Sequence, residues 1–145
     1  MTQRDLELKV PVSKLYFMGD DELKTVLKFD LLSHSWSLVE EHPLEEALLA
    51  YQKALGMGDG KSVLITGGKN FSTKEGSAAV YVWETEANTL FKMSPMLSAR
   101  HKHALVRLDD YVYAMGGIGQ NGKTTELCER YSIKQNKWEA IASHR

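Results

Sequence analysis

The chain repeats itself. Gly19, Gly68 and Gly117 stand 49 residues apart and then 49 again. Each follows a short apolar run: LYFM (15–18), VLIT (63–66) and VYAM (112–115). A second marker runs in parallel. An aromatic residue precedes a large apolar one by seven positions in each unit: Phe29 and Trp36, Trp83 and Leu90, Tyr131 and Trp138. Turn-forming residues fill the space between them: Ser33-His34-Ser35, Ala87-Asn88-Thr89 and Gln135-Asn136-Lys137. One fixed offset used three times predicts one hairpin geometry used three times. Self-similarity at such a period means a unit that cannot cover its own apolar face and must stack on its neighbours.

The unit is written most fully between Pro95 and Trp138. Ala104, Val106 and Leu108 alternate with polar residues, as do Tyr111, Tyr113 and Met115. Leu127, Glu129, Tyr131 and Ile133 make a third segment, and a fourth begins at Trp138. Period-two alternation with short polar breaks predicts half-buried antiparallel strands, four to the unit. Residues 43–55 are the exception. PLEEALLAYQKAL has helical spacing at Leu44, Leu48, Tyr51 and Leu55, with proline in the first turn and glycine after it. Counting back 49 from Ala99, Arg100 and His103 instead places Ala50, Tyr51 and Ala54 in the connection and first strand of unit 2. The repeat frame is preferred, with a helical turn over 44–49 allowed. In unit 1, Leu6, Leu8 and Val10 alternate as a strand that Pro11 ends.

These residues resemble a known family. Pro95-Met96, Arg100, His103-Ala104, Tyr111, Gly116-Gly117, Tyr131 and Trp138 fall where the kelch repeat has them. Unit 2 keeps Gly67-Gly68, Trp83 and Leu90. Unit 1 has Gly19-Asp20 in place of the double glycine but keeps Phe29 and Trp36. The resemblance implies an all-β fold: three four-stranded kelch blades at 1–42, 43–95 and 96–145, part of a β-propeller and half of a six-bladed ring. Three blades leave the first and last faces uncovered, which calls for further blades or self-association.

Composition narrows function by exclusion. With 18 Lys+Arg against 19 Asp+Glu the net charge is −1, so no bulk attraction to nucleic acid or an anionic membrane is expected. The charge is uneven. Residues 1–42 hold five Lys/Arg against eight Asp/Glu, and residues 96–145 hold eight against five. One cysteine excludes an internal disulfide framework and suits a reducing compartment. No leader-like apolar segment and no run of 18 apolar residues occurs, so a cytoplasmic setting is expected.

The short motifs do not assemble a catalytic, metal or cofactor site. Asp20-Asp21-Glu22 lacks the alternating oxygen ligands and glycine of a calcium loop. The glycines 56, 58 and 60 precede a strand instead of opening a helix, and Gly122-Lys123-Thr124 lacks the first glycine and the following helix of a phosphate loop. His101 and His103 have no third metal ligand at a suitable spacing. Cys128 lies within a strand and reads as an inert buried thiol. Trp36, Tyr131 and Trp138 read as blade packing.

What remains is two polar loops, KNFSTKEGS (69–77) and IGQNGKTT (118–125), joining the second and third strands of their blades on one face. Loops on one face of a rigid scaffold are where such folds bind. The expected function is a protein-interaction module. The candidate contact residues are Lys69, Asn70, Ser72, Lys74, Glu75, Gln120, Asn121 and Lys123. Arg100 joins them because the resemblance implies ligand contact there in some kelch proteins, beside a role in bracing the loops between blades. Similarity of residues 88–117 to BTB-kelch propellers implies recruitment of substrates to a cullin-type ubiquitin ligase, or a cytoskeletal scaffold. The alternative is a kelch-type enzyme acting on saccharides, or a copper oxidase.

Overall fold

A computed structural model describes residues 14–19 and 24–142. Three antiparallel sheets follow one another along the chain. The first holds β1 (Lys14–Met18), β2 (Val26–Asp30) and β3 (Ser35–Leu38). The strand expected over Leu6, Leu8 and Val10, and the acidic loop at Asp20, lie outside the described residues. The second sheet holds β4 (Lys53–Gly56), β5 (Ser62–Thr66), β6 (Val80–Glu84) and β7 (Thr89–Met93). A short pair, β8 (Arg100–His101) with β11 (Ile118–Gly119), ties the connection to a loop. The third sheet holds β9 (Ala104–Leu108), β10 (Tyr111–Met115), β12 (Cys128–Ser132) and β13 (Lys137–Ile141). Among the described residues no helix is long and apolar enough to cross a membrane.

The strand registers show why the seven-residue offset recurs. Phe29 faces Trp36, Trp83 faces Leu90, and Tyr131 faces Trp138 directly across the last hairpin of each sheet. Each hairpin turns on a residue in the left-handed region: His34 at φ 54°, Asn88 at 53° and Asn136 at 51°. Asparagine tolerates that conformation better than most side chains. The same registers correct the glycine alignment. Leu15 lies opposite Phe29, Val63 opposite Trp83, and Val112 opposite Tyr131. Gly19 is therefore the counterpart of Gly67 and Gly116, not of Gly68 and Gly117. The first interval is one residue shorter than the 49 expected.

Residues 43–55 are not a helix. The amides of Ala47 and Leu48 both return to the carbonyl of Leu44, which makes a single turn, and β4 then pairs with β5. The turn serves to bury Leu44, Ala47 and Leu48 between the first two sheets. The count back by 49 also needs correction. Lys53 faces Thr66 as Ala104 faces Met115, so His103 corresponds to Gln52 and Arg100 to Leu49. The reason is the β4–β5 loop: Gly56 faces Val63, whereas its counterpart Arg107 faces Val112, so that loop is two residues longer.

Two apolar cores separate the sheets, and alternation along β5 and β6 divides the side chains between them. Ile65, Tyr81 and Trp83 meet Val26, Tyr16 and Met18 of the first sheet, the Tyr16 ring standing edge-on to Trp83 at 4.9 Å. Leu64 and Val80, on the other face, meet Val112, Ala114, Tyr131 and Trp138 of the third. Full burial of one such side chain contributes roughly 1.5–3 kcal/mol. Hydrogen bonds fasten each interface at its outer edge. Asn88 donates to the carbonyl of Glu41 and accepts from the Trp83 indole. Asn136 accepts from the amide of Ser94 and from the Tyr131 hydroxyl, while the Trp138 indole donates to the Ser94 carbonyl.

Candidate functional site

The two polar loops sit on a braced platform. Lys69 pairs with Ala50 and with Gly76, and Ile118 pairs with His101 and with Thr124. Both loops thus start as short extensions of pairing beyond their sheets. Each then closes on itself. The Asn70 amide donates to the Glu75 carbonyl, the Lys74 amide to the Asn70 carbonyl, and the Gly119 amide to the Lys123 carbonyl. The Asn70 and Asn121 side chains accept from the amides of Thr73 and Lys123. Loops so bonded hold their side chains in place before a partner arrives, which lowers the ordering cost of binding.

Arg100 is the brace. It is fully buried, and its guanidinium donates to the carbonyls of Gly116 and Leu127 at 3.0 and 2.9 Å and to the Glu129 carboxylate at 2.9 Å. The other Glu129 oxygen accepts from the amide of Leu97 at 2.7 Å. Arg100 thereby fixes the start of the 118–125 loop from beneath, and its donors point into the protein. Gly67 lets the Arg100 backbone come close: a Cβ there would stand 2.2 Å from the Arg100 carbonyl oxygen.

A cleft of about 240 Å³ opens between the loops. Its walls include Lys69, Phe71 and Lys74 from one loop and Ile118 and Gln120 from the other, with Tyr51, His101 and Lys102 between them. The Tyr51 ring is the floor. It stacks on His101 at 6.1 Å between centroids, meets Phe71 edge-on at 5.8 Å, and carries the Lys102 ammonium 4.2 Å above its centroid. The Lys74 ammonium lies 5.8 Å from the centre of the Phe71 ring. No carboxylate lines this cleft, and among the described residues none of Lys69, Lys74 and Lys102 makes an ion pair. Burial, together with the charges of Lys69 and Lys102, holds the His101 imidazole below its ordinary pKa. His101 is only 6% exposed, and its Nδ1 has no hydrogen-bond partner. A wider cleft of about 630 Å³ adjoins, sharing Gly76, Gly119 and Gln120 and adding Asn121.

The structure therefore brings Lys69, Lys74, Gln120 and Asn121 together around these clefts. Asn70 sits at the base of its loop. Ser72, Glu75 and Lys123 are exposed on the loops outside the cleft walls, and Arg100 lies beneath, with no exposed surface. Tyr51, Phe71, His101 and Lys102 were not among the sequence candidates. Tyr51 and Lys102 are counterparts under the corrected alignment and both hold left-handed backbone, φ 57° and 55°, which no residue pattern in the sequence marks. The two histidines part company across Lys102. His101 lines the cleft, whereas His103 Nε2 hydrogen-bonds the Thr66 hydroxyl at 2.7 Å inside the protein. Burial and the nearby Arg100 charge push the His103 pKa down to about 3.

Sheets stacked face to face, the second and third with their 69–77 and 118–125 loops lining one cleft, define an arc of a β-propeller. Comparison with known proteins identifies its kind. Residues 99–145 match the family model described as the Kelch motif. Human Kelch-like protein 23 is 33% identical over 84 residues, 58% of this chain and 15% of its own length. Mouse Kelch-like protein 38 is 26% identical over 115 residues, 78% of this chain and 20% of its own. Human Kelch repeat and BTB domain-containing protein 2 is 33% identical over 63 residues, 43% of this chain and 10% of its own. The chain thus spans a fifth or less of these relatives. The solved structure of YjhT superposes with a TM-score of 0.74 at 14% identity, covering 90% of this chain and 49% of that one. A Kelch motif thus occupies residues 99–145, and the chain as a whole is similar to Kelch-like and BTB-kelch proteins.

Proposed function

We propose that the chain is a non-enzymatic protein-recognition module that takes up an acidic segment of its partner between the 69–77 and 118–125 loops. The observation that carries this reading is the cleft itself. Among the described residues, three ammonium groups without ion pairs surround an aromatic floor, and a buried ring nitrogen at its edge lacks a partner. A carboxylate entering there meets positive charge in a partly desolvated setting, where such contacts are stronger than in water. The apolar part of the partner would lie on Tyr51 and Phe71. The blades beneath give the loops a fixed spacing, as recognition loops require. In the setting of the BTB-kelch relatives, the segment would select substrates for a cullin-type ubiquitin ligase in the cytoplasm. A cytoskeletal scaffold would use the same face.

The test is a peptide array of acidic sequences beside matched sequences with Asn and Gln replacing Asp and Glu. Capture should favour the acidic set and weaken as salt is raised. Lys69→Glu combined with Lys102→Glu should reduce it at least tenfold, while Lys134→Glu on the far side of blade 3 should not. Equal capture of the neutral set, or indifference to the double charge reversal, would refute the acidic reading.

A further inference from the structure

One side chain of the basic cleft is buried and polar without serving the fold. His101 lines the cleft, is 6% exposed, and its Nδ1 has no hydrogen-bond partner. Such a group calls for an explanation, because burying it unpartnered costs free energy. Arg100 Nε and His103 Nδ1 share the condition, but they lie inside the protein on side chains that are otherwise engaged, with Glu129 and with Thr66. Neither lines the cleft. Strand pairing does not require the ring either. Under the corrected alignment the counterpart of His101 in blade 2 is Ala50, which is just as buried. Ala50 pairs with Lys69 as His101 pairs with Ile118. The same backbone contact is thus made with a methyl group in one blade and an imidazole in the other.

The surroundings of the ring are one-sided in charge. Tyr51 stacks on it from the connection before β4. Lys69 and Lys74 reach the cleft from the 69–77 loop, and Lys102 from its own segment. The 118–125 loop contributes Ile118, Gly119, Gln120 and Gly122, all uncharged. Along the chain Arg100 is paired with Glu129, and His103 has a pKa of about 3, so it stays neutral at ordinary pH. No carboxylate lines the cleft. Burial, then the charges of Lys69 and Lys102, favour the neutral imidazole. An anion in the cleft would reverse this balance. It would offset the ammonium charges and offer an acceptor to a charged ring N–H.

We propose that His101 couples occupation of the cleft to protonation: when a carboxylate sits among Lys69, Lys74 and Lys102, the imidazole takes a proton from solvent and donates a hydrogen bond to that carboxylate. This rests on the acidic-segment reading above and adds a means of regulating it. The sign follows from linkage. The bound ring holds its proton at a higher pH than the free ring, so protons favour the complex. Binding tightens as the pH falls through the bound-state pKa and stops gaining once the free ring is protonated too. One proton gives at most about tenfold in affinity per pH unit.

The experiment is fluorescence anisotropy of a labelled hexa-aspartate peptide on the 145-residue chain, from about pH 7.5 to about 5.5 at constant ionic strength. Aspartate side chains remain ionised over that range. Wild-type affinity should rise about three- to tenfold across it, whereas His101→Phe, which keeps a ring against Tyr51, should gain less than about twofold. Imidazole NMR of the wild type gives a second readout that needs no variant: the His101 ring should titrate at higher pH with the peptide than without it. Equal gains in the two proteins, or a titration that the peptide does not move, would overturn the coupling; if binding still depends on Lys69 and Lys102, the acidic reading survives. Absence of binding at every pH, or indifference to Lys69→Glu combined with Lys102→Glu, would overturn both.

Discussion

A guanidinium with no exposed surface must find its partners inside the protein, and Arg100 finds two carbonyls and a carboxylate, while its Nε finds none among the described residues. Replacing it with methionine keeps much of the volume but leaves the Glu129 charge buried with the Leu97 amide as its remaining partner. Breaking a buried pair in this way costs about 3–5 kcal/mol. Urea unfolding of Arg100→Met should show that loss, and Arg100→Met with Glu129→Gln should recover part of it. Recovery in the double variant separates the stranded charge from lost packing. His103 makes a different demand. Its pKa is about 3 in the folded chain and near 6.5 when unfolded, so protons favour the unfolded state. Its contribution is fully present above about pH 6.5 and falls as the pH drops toward 3. The slope is at most about 1.4 kcal/mol per pH unit. His101 is shifted in the same direction, so it too loses its contribution as the pH falls below its ordinary pKa. Blade 2 has Gln52 at the position of His103, so His103→Gln is the natural control. Chemical denaturation between pH 4.5 and 7 should give a clearly flatter dependence for this variant than for the wild type.

Among elements, the last hairpin of each blade is the most informative. In the third blade Asn136 combines left-handed backbone with four hydrogen bonds: Oδ1 accepts from the Tyr131 hydroxyl and the Ser94 amide, its carbonyl accepts from the Ser94 hydroxyl, and its amide donates to the Ser132 carbonyl. Asn136→Ala loses the two side-chain bonds and strains the turn, at a cost of about 1–3 kcal/mol. Asn136→Gly relieves the strain alone and should fall between the two. Thermal melts of the three proteins order these effects, and equal melting of the alanine and glycine variants would remove the backbone part of the argument. This hairpin was legible from sequence because its signal is local: seven residues, two of them large and apolar, face each other in all three blades. The glycine alignment misled because a one-residue difference between blades 1 and 2 leaves no mark on composition. The helical spacing of residues 43–55 misled for a related reason. Leu44 and Leu48 share a helical turn, but Tyr51 and Leu55 belong to a loop floor and a strand edge. The loops were legible as polar insertions. Their aromatic floor was not, since Tyr51 and Phe71 lie 20 residues apart and meet only because the Ala50–Lys69 bridge extends the β4–β5 pairing.

Across the whole molecule, stability is expected to follow position in the stack. Apolar side chains of β5 and β6 enter both cores, Ile65 and Trp83 one and Leu64 and Val80 the other. Strands β1 to β3 border one core on one face and present Phe17, Trp36 and Leu38 on the other. In a stacked array each unit is stabilised by its neighbours, so the middle sheet opens last. Hydrogen exchange should therefore find the slowest amides in residues 62–66 and 80–84, with those of 14–18 and 26–30 faster. Equal exchange in the first and the middle sheet would refute the dependence of each sheet on its stacked neighbours.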